Sequence, residues 1–532
     1  MAVVDVSENS RTETNDQPRK VDAPVVTVIV PPMVVHDLDP HTGIPFMPHM
    51  AAHLAGALRA GGFRVQVFDC FGLQHTHRQL VGDFMMVGAS QEWVAERLHP
   101  DTSVCYLYCR TMAELISIER MIAAIKLARP DVRIALFENI QAVTSFSLMH
   151  VAEDLLANEC DVLVLGEPER RACEVTERLI ANRPLGDILG LAFKDKNGKV
   201  SATLAAALEG DLEQLPFPAW DLFPLDGYWT SRYAHGPITS PRILPILTSR
   251  GCPYKCSFCV VPTVNPTWRG RNASNVVDEM EHFYRTLKVT EFHISDLDPT
   301  VNDKRTKEIC REIIRRGLPV TWKLAQGTKI ETIKSEETLE LMANAGCKFI
   351  AFSPESGDPE ILKSVRKPFD FEHGLQMARK MRELGIHIQI CLVAGLPGED
   401  DQARQMTYDY AKKLLDIGVD EIAVYIFTPI PGAELFGSIK GYSHYSQLTH
   451  SPSWRSDYAT LIAFRKRVYF ALLRSYLRRP SEAFRELGSL FTRRFHTKMS
   501  MCVYKQLWFY ALRSLPWLFP KGRPDTRLKA VG

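Results

Sequence analysis

From residue 25 to about residue 200, short apolar runs alternate with amphipathic stretches. Val25–Val30 is a β-branched run that stops at Pro31-Pro32. Met47, Met50, Ala51, Leu54 and Leu58 then recur at helical spacing, and Gly61-Gly62 closes the stretch. Arg64–Phe68, Val104–Tyr108, Val132–Phe137 and Val162–Leu165 read as further strands, with helical stretches near 112–128 and 147–158 between them. This alternation predicts an α/β fold with a doubly wound, Rossmann-like parallel sheet over residues 25–205. A ligand of such a sheet sits at the carboxyl ends of its strands.

Residues 206–243 break the rhythm. They are rich in proline and aromatic residues, and they predict a packed linker. The alternation resumes over 244–440, with strands expected at 244–249, 290–295, 319–325, 347–353, 386–394 and 420–427. One intervening helix places Val276, Val277, Met280, Phe283, Tyr284 and Leu287 on one face. Another runs from an N-cap at Ser335 to a C-cap at Gly346. Six βα units predict a partial (β/α)6 barrel, with its chemistry at the C-terminal strand ends. Residues 441–532 read as a helical C-terminal region split by Pro480.

Composition narrows the class. Of 532 residues, 45% are hydrophobic and 24% charged, the balance of an ordinary globular chain. No uncharged apolar window is long enough to span a membrane. The first residues lack a basic start followed by an apolar run, so residues 1–24 are expected to be a disordered head on a cytoplasmic protein. The net charge of +2 hides an asymmetry, because residues 461–532 hold 16 lysines and arginines against three acidic residues. In that tail Arg465, Lys466, Arg467, Arg474, Arg478 and Arg479 interleave with Phe464, Val468, Phe470, Leu473 and Tyr476, and Trp508, Phe509, Trp517, Leu518 and Phe519 follow. Such helices suit docking on the barrel or peripheral contact with a membrane face; a nucleic-acid partner is not expected.

Of the twelve cysteines, three are clustered. Ser249-Arg250-Gly251-Cys252-Pro253-Tyr254-Lys255-Cys256-Ser257-Phe258-Cys259 gives Cys-x3-Cys-x2-Cys directly after the first barrel strand. Three thiolates on one loop can hold three irons of a cubane cluster and leave the fourth open. The alternatives are a zinc site, which lacks a fourth ligand at finger spacing, and three buried thiols. Polar stretches also end the later strands: Ser295-Asp296-Leu297-Asp298, Thr328-Lys329, Ser353-Pro354-Glu355-Ser356-Gly357 and Gly395-Leu396-Pro397-Gly398-Glu399.

The cysteine loop resembles the signature of the radical S-adenosylmethionine superfamily. The proline-rich turn at 31–32, Gly166-Glu167-Pro168-Glu169, Leu215-Pro216-Phe217-Pro218 and Thr428-Pro429-Ile430-Pro431-Gly432 extend the likeness to its cobalamin-binding branch. The resemblance implies a [4Fe-4S] cluster on Cys252, Cys256 and Cys259. It implies S-adenosylmethionine near Phe258, Asp296, Thr328, Glu355, Ser356 and Gly395. It also implies cobalamin in the N-terminal domain, cradled near Asn139, Gly166 and Glu167. The expected activity is transfer of a methyl group from methylcobalamin to an unactivated carbon of a lipid, such as a hopanoid, or another secondary metabolite, with a flavodoxin- or ferredoxin-type protein as reductant. Oxidative cyclisation and a redox-sensing iron–sulfur protein are the other readings. The histidine motif by which some cobalamin domains ligate the metal is one residue short here, at Asp39-Pro40-His41-Thr42-Gly43, and His41 is expected in a turn or packing role.

Overall fold

The computed structural model describes residues 24–37, 39–232 and 237–514. The expected head falls outside these residues apart from residue 24, as do Trp517, Leu518, Phe519 and the side chains of Trp508 and Phe509.

The N-terminal sheet has seven strands. Five are parallel: Val25–Val30, Arg64–Asp69, Thr102–Cys109, Arg133–Glu138 and Val162–Val164. Val25–Val30 lies between Arg64–Asp69 and Thr102–Cys109, and the other strands follow outward from the latter. The strand order therefore reverses between Val25–Val30 and Thr102–Cys109, which marks a ligand crevice at their carboxyl ends. Two strands absent from the sequence expectation, Leu191–Lys194 and Val200–Ala202, finish the far edge in antiparallel fashion. A second unpredicted feature is a small antiparallel sheet of Met33–His36, Phe84–Val87 and Arg78–Val81.

The proline-rich segment is packed. Ala219 N–H donates to Ala52 O (2.9 Å) on helix His49–Ala60, and Trp220 is completely buried. Tyr228 Oη donates to Asp69 Oδ2 (2.7 Å), which ties the segment to the end of a sheet strand.

The second sheet has six parallel strands in sequence order: Ile243–Ile246, Glu291–Ile294, Thr321–Thr328, Cys347–Glu355, His387–Ala394 and Glu421–Ile426. Its helices start where the sequence offers a capping oxygen. Asn272, Asn302, Ser335, Asp370 and Asp400 each accept a backbone N–H from the first turn that follows. The helix from Ser335 is capped by Ala345 rather than Gly346, which follows at φ +94°.

Three C-terminal helices, Tyr458–Tyr476, Pro480–Thr492 and Lys498–Ser514, close the molecule. Leu461, Phe464, Val468 and Leu472 join one hydrophobic core that also contains both sheets.

Candidate active site: the cysteine loop at the mouth of the barrel

The loop is pinned on both sides. Ser249–Arg250 pairs with Arg269–Gly270 in a short antiparallel ladder, and Cys252 N–H donates to Asn265 O (3.2 Å). Gly251 sits at φ +79°, and a Cβ there would meet Thr267 O at 2.1 Å, so only glycine fits the entry to the loop. Cys252, Cys256 and Cys259 are free and partly exposed. Cys256 and Cys259 line a cavity of about 240 Å³ together with Tyr254, Pro262, Arg366 and Glu434. Burial pushes the Cys252 thiol up to about 11 and Cys259 to about 12, so metal binding has to drive their deprotonation. Among the described residues no three His, Cys, Asp or Glu side chains gather around a single ion. A multi-iron cluster, whose ligand sulfurs stand at separate corners, suits three cysteines spaced along a loop. Phe258 packs with Val365, Leu396 and Phe427 below the loop.

The strand ends sort into two groups. Asp296 is fully buried, and its oxygens are taken by Thr248 N–H (2.7 Å), Thr248 Oγ1 (2.6 Å) and Ser249 Oγ (2.6 Å). It is a brace for the strand that carries the cysteines. Two residues on, Asp298 Oδ1 accepts from Thr328 Oγ1 (2.8 Å) and Thr300 Oγ1 (3.2 Å), while Oδ2 is buried without a hydrogen-bond partner among the described residues. The Asp298 carboxylate also acts on Cys252 and Tyr254, so it faces the cysteine loop. Thr328 is completely buried and serves to hold Asp298. Lys329 Nζ bonds Glu331 (2.9 Å) and Pro368 O (2.7 Å).

Glu355 ends its strand at φ +65°, a strained conformation for a residue with a side chain. Its carboxylate pairs with Lys367, a residue that the sequence reading passed over. Lys367 Nζ lies 6.0 Å from the Phe258 ring. Burial would push the lysine down, but Glu355 and the thiols of Cys256 and Cys259 hold it above the usual lysine range. Ser356 is buried against Thr407 (3.1 Å) and accepts Asp358 N–H (3.1 Å). Gly395, at φ +82°, donates to Glu399 Oε2 (2.5 Å), and its carbonyl receives both Nη atoms of Arg455 (3.1 Å each). Its backbone is thus engaged within the protein.

The carboxyl ends of the N-terminal sheet face this loop. Ser147 N–H donates to Pro431 O (3.0 Å), and Asn265 Nδ2 donates to Ile140 O (3.3 Å). Asn139 Oδ1 accepts Gln141 N–H (3.1 Å), and Gly166 N–H donates to Glu138 Oε1 (2.6 Å). Glu167 joins Arg269 by two bonds of 3.0 Å and Arg250 at 3.3 Å, while Arg250 reaches Glu169 at 2.7 Å. Asn139, Gly166 and Glu167 thus each make at least one contact inside the protein. Gln141 is different: it is completely buried, and neither polar atom of its amide has a hydrogen-bond partner among the described residues. His41 turns away to the C-terminal helices, where Tyr469 Oη lies 3.3 Å from its Nε2.

The Radical SAM superfamily signature matches residues 246–411, the stretch that holds the cysteine loop and most of the six-stranded sheet. The chain carries a radical S-adenosylmethionine domain. It is 27% identical over 422 residues to the cytidylyl-2-hydroxyethylphosphonate methyltransferase of Streptomyces wedmorensis, covering 72% of this chain and 76% of the relative. It is 26% identical over 396 residues to the anaerobic magnesium-protoporphyrin IX monomethyl ester cyclase of Rubrivivax gelatinosus, covering 73% of this chain and 65% of that one. In fold it resembles the radical S-adenosylmethionine methyltransferase TsrM of Kitasatospora setae, solved with cobalamin and a [4Fe-4S] cluster bound. The TM-score is 0.61 at 19% identity, over 78% of this chain and 74% of that one.

Proposed function

We propose that the chain is a cobalamin-dependent radical S-adenosylmethionine methyltransferase acting on an unactivated carbon. The observation that carries this reading is the convergence on one face of the cysteine loop, the unpaired Asp298 oxygen and the Glu355–Lys367 pair, opposite the carboxyl ends of the N-terminal sheet. Cys252, Cys256 and Cys259 would hold a [4Fe-4S] cluster. Asp298, rather than Asp296, would receive the ammonium group of S-adenosylmethionine, with Glu355 and Phe258 beside it. The unpaired Gln141 amide fits a ligand rich in amide groups, as the rim of cobalamin is. When bound, these groups supply a carbon-centred radical and a transferable methyl group. The protein's own residues orient them, and the packed 206–243 segment keeps the two sheets face to face. The division into a cobalamin unit (25–205), a strap (206–243), a barrel (244–440) and a C-terminal region (441–532) belongs to this proposal, as does a flavodoxin- or ferredoxin-type electron donor.

The Rubrivivax relative favours a second reading, oxidative cyclisation on the same cofactors. A pure redox sensor is disfavoured, because an electron carrier has no use for Asp298 or for a strained Glu355. Peripheral membrane contact is also part of the proposal. Among the described residues no helix is long and apolar enough to cross a membrane. Yet Phe470, Leu473, Phe484, Leu487 and Phe491 on two helices that carry arginines, and Leu477 in the turn between them, are all more than half exposed. Such a face suits the interface of an anionic bilayer.

The deciding experiment is anaerobic purification from cells supplied with cobalamin, followed by corrin and iron analysis. About one corrin and four irons per chain are expected under the three-cysteine assignment. Iron without corrin would end the methyltransferase reading. Cys256→Ala should abolish 5′-deoxyadenosine formation while leaving a folded chain. Flotation with anionic vesicles should weaken with salt and disappear when residues 455–532 are removed.

A further inference from the structure

The C-terminal helices turn three basic side chains inward. Arg465 lies on Tyr458–Tyr476, and Lys498 and Lys505 lie two turns apart on Lys498–Ser514; their exposures are 5%, 4% and 7%. Side chains of this kind are almost never so buried unless they are paired. Among the described residues none of the three makes an ion pair. Each instead donates to a neutral oxygen: Arg465 Nη1 to Ser451 Oγ (2.8 Å), Lys498 Nζ to Tyr425 Oη (2.7 Å) and Lys505 Nζ to Thr42 O (2.8 Å). An ammonium has three donors, so most of this capacity is not met by these bonds.

Two histidines and two carboxylates border the group. The His41 and His450 rings lie 4.6 and 5.0 Å from the Tyr425 ring, and among the described residues His41 Nδ1 is buried without a partner. Glu421 spends its oxygens on the backbone N–H groups of Lys498 (2.9 Å) and Met499 (3.1 Å). Asp39 Oδ1 accepts His41 N–H (2.8 Å); its buried Oδ2 has no hydrogen-bond partner among the described residues, and the carboxylate acts on Lys505 without forming an ion pair with it. Burial lowers the Lys505 ammonium from its ordinary value, and the neighbouring Cys502 thiol and Asp39 carboxylate do not offset it.

The place matters as much as the charge. Tyr425 is the penultimate residue of the last barrel strand. Glu355 is in register with Leu392, and Leu392 with Val424, the residue before Tyr425. The cations therefore meet the barrel two strands from Glu355, about 10 Å across the same end of the sheet. The Cys391 thiol between them is influenced by both Lys498 and Glu355.

We propose that Arg465, Lys498 and Lys505, with His41 and Tyr425, form the binding site for an anionic oxygen group of the substrate, a carboxylate or a phosphate or phosphonate. This rests on the reading of the barrel strand ends as the reaction face. An uncharged hydrocarbon substrate would leave the three cations unpaired.

The test is calorimetric titration of the anaerobic, iron-loaded full chain with methylphosphonate and, separately, with propionate, at constant ionic strength set by chloride. Saturable binding of either probe is expected, and the stronger of the two identifies the group. The double variant Lys498→Met, Lys505→Met should bind at least tenfold more weakly, and the corresponding double arginine variant should keep the affinity within about threefold. No saturable binding of either probe, or equal binding by the methionine variant, overturns the proposal. If the methionine variant fails to fold, the titration of the unmodified chain decides alone. Iron and sulfide are measured on the same samples. Iron-free protein that still binds a probe would sink the cluster reading and leave the anion site standing. Iron-loaded protein that binds neither does the reverse.

Discussion

Two aspartates on one loop do different work. Asp296 and Asp298 follow the same strand, and both are buried carboxylates. Asp296 is saturated by Thr248 and Ser249, whereas among the described residues Asp298, which faces the cysteine loop, keeps one oxygen without a hydrogen-bond partner. The polar groups at this strand end are legible in the sequence, which favours Asp296; the proposed function gives the cofactor-facing part to Asp298, because spacing alone cannot say which side chain a loop turns inward. Lys367 was missed for a related reason. It lies outside the polar stretches at the strand ends, and its partners, Glu355 and the Phe258 ring, lie 12 and 109 positions away in the chain. Substitution separates the two aspartates. Asp298→Asn is expected to keep its iron and fold but to weaken S-adenosylmethionine binding at least tenfold, read by 5′-deoxyadenosine formed against cofactor concentration. Asp296→Asn turns an amide toward hydroxyl and N–H donors, and should cost about 1–3 kcal/mol in urea unfolding. Equal effects in the two assays would refute the division of labour.

At the scale of elements, the long parallel strands were readable because strands covered on both faces are continuous apolar runs. The small sheet of Met33–His36, Arg78–Val81 and Phe84–Val87 was not: its strands are four residues long, too short to establish a period. Helix His49–Ala60 was placed correctly from its apolar positions, but its two histidines carry a consequence that the pattern hides. His49 and His53 stand one turn apart, both buried and both near Arg250. Burial first, then Arg250, lowers His49 to about 3. An unfolded histidine takes its proton near 6.5. Between those values the unfolded chain binds a proton that the folded chain refuses, so stability falls as pH falls through that window. From pH 7 to pH 5.5 this one side chain should remove about 1 kcal/mol. His49→Leu should show a correspondingly shallower decline in denaturant unfolding. An identical pH slope in the variant would mean that His49 is not neutral by burial.

For the whole molecule, the question is what keeps the crevice of the N-terminal sheet facing the cysteine loop. The proline-rich strap supplies packing, but the charged contact lies at the loop itself. Arg250, the residue two before Cys252, is 2% exposed and is held by Glu167 and Glu169 from the first unit, while Arg269 on the partner strand of the hairpin grips Glu167 again. Burial would push Glu167 up, yet Arg250 and Arg269 hold it below the usual carboxylate range. These charges lie more than 80 positions apart in the chain, and a Gly-Glu-Pro-Glu stretch read in isolation suggests a ligand loop rather than a clamp. Removing one partner of a buried pair leaves the other charge stranded, at a cost of about 3–5 kcal/mol, while replacing both by apolar groups is far milder. Glu167→Ala should therefore unfold several kcal/mol more easily and come off the column depleted in iron. The double variant Glu167→Leu, Arg269→Met should recover a large part of both losses, although Arg250 keeps only Glu169. Iron content and unfolding midpoint that stay at the unmodified values in Glu167→Ala would show that packing alone, through the strap and the shared core, sets the two sheets against each other.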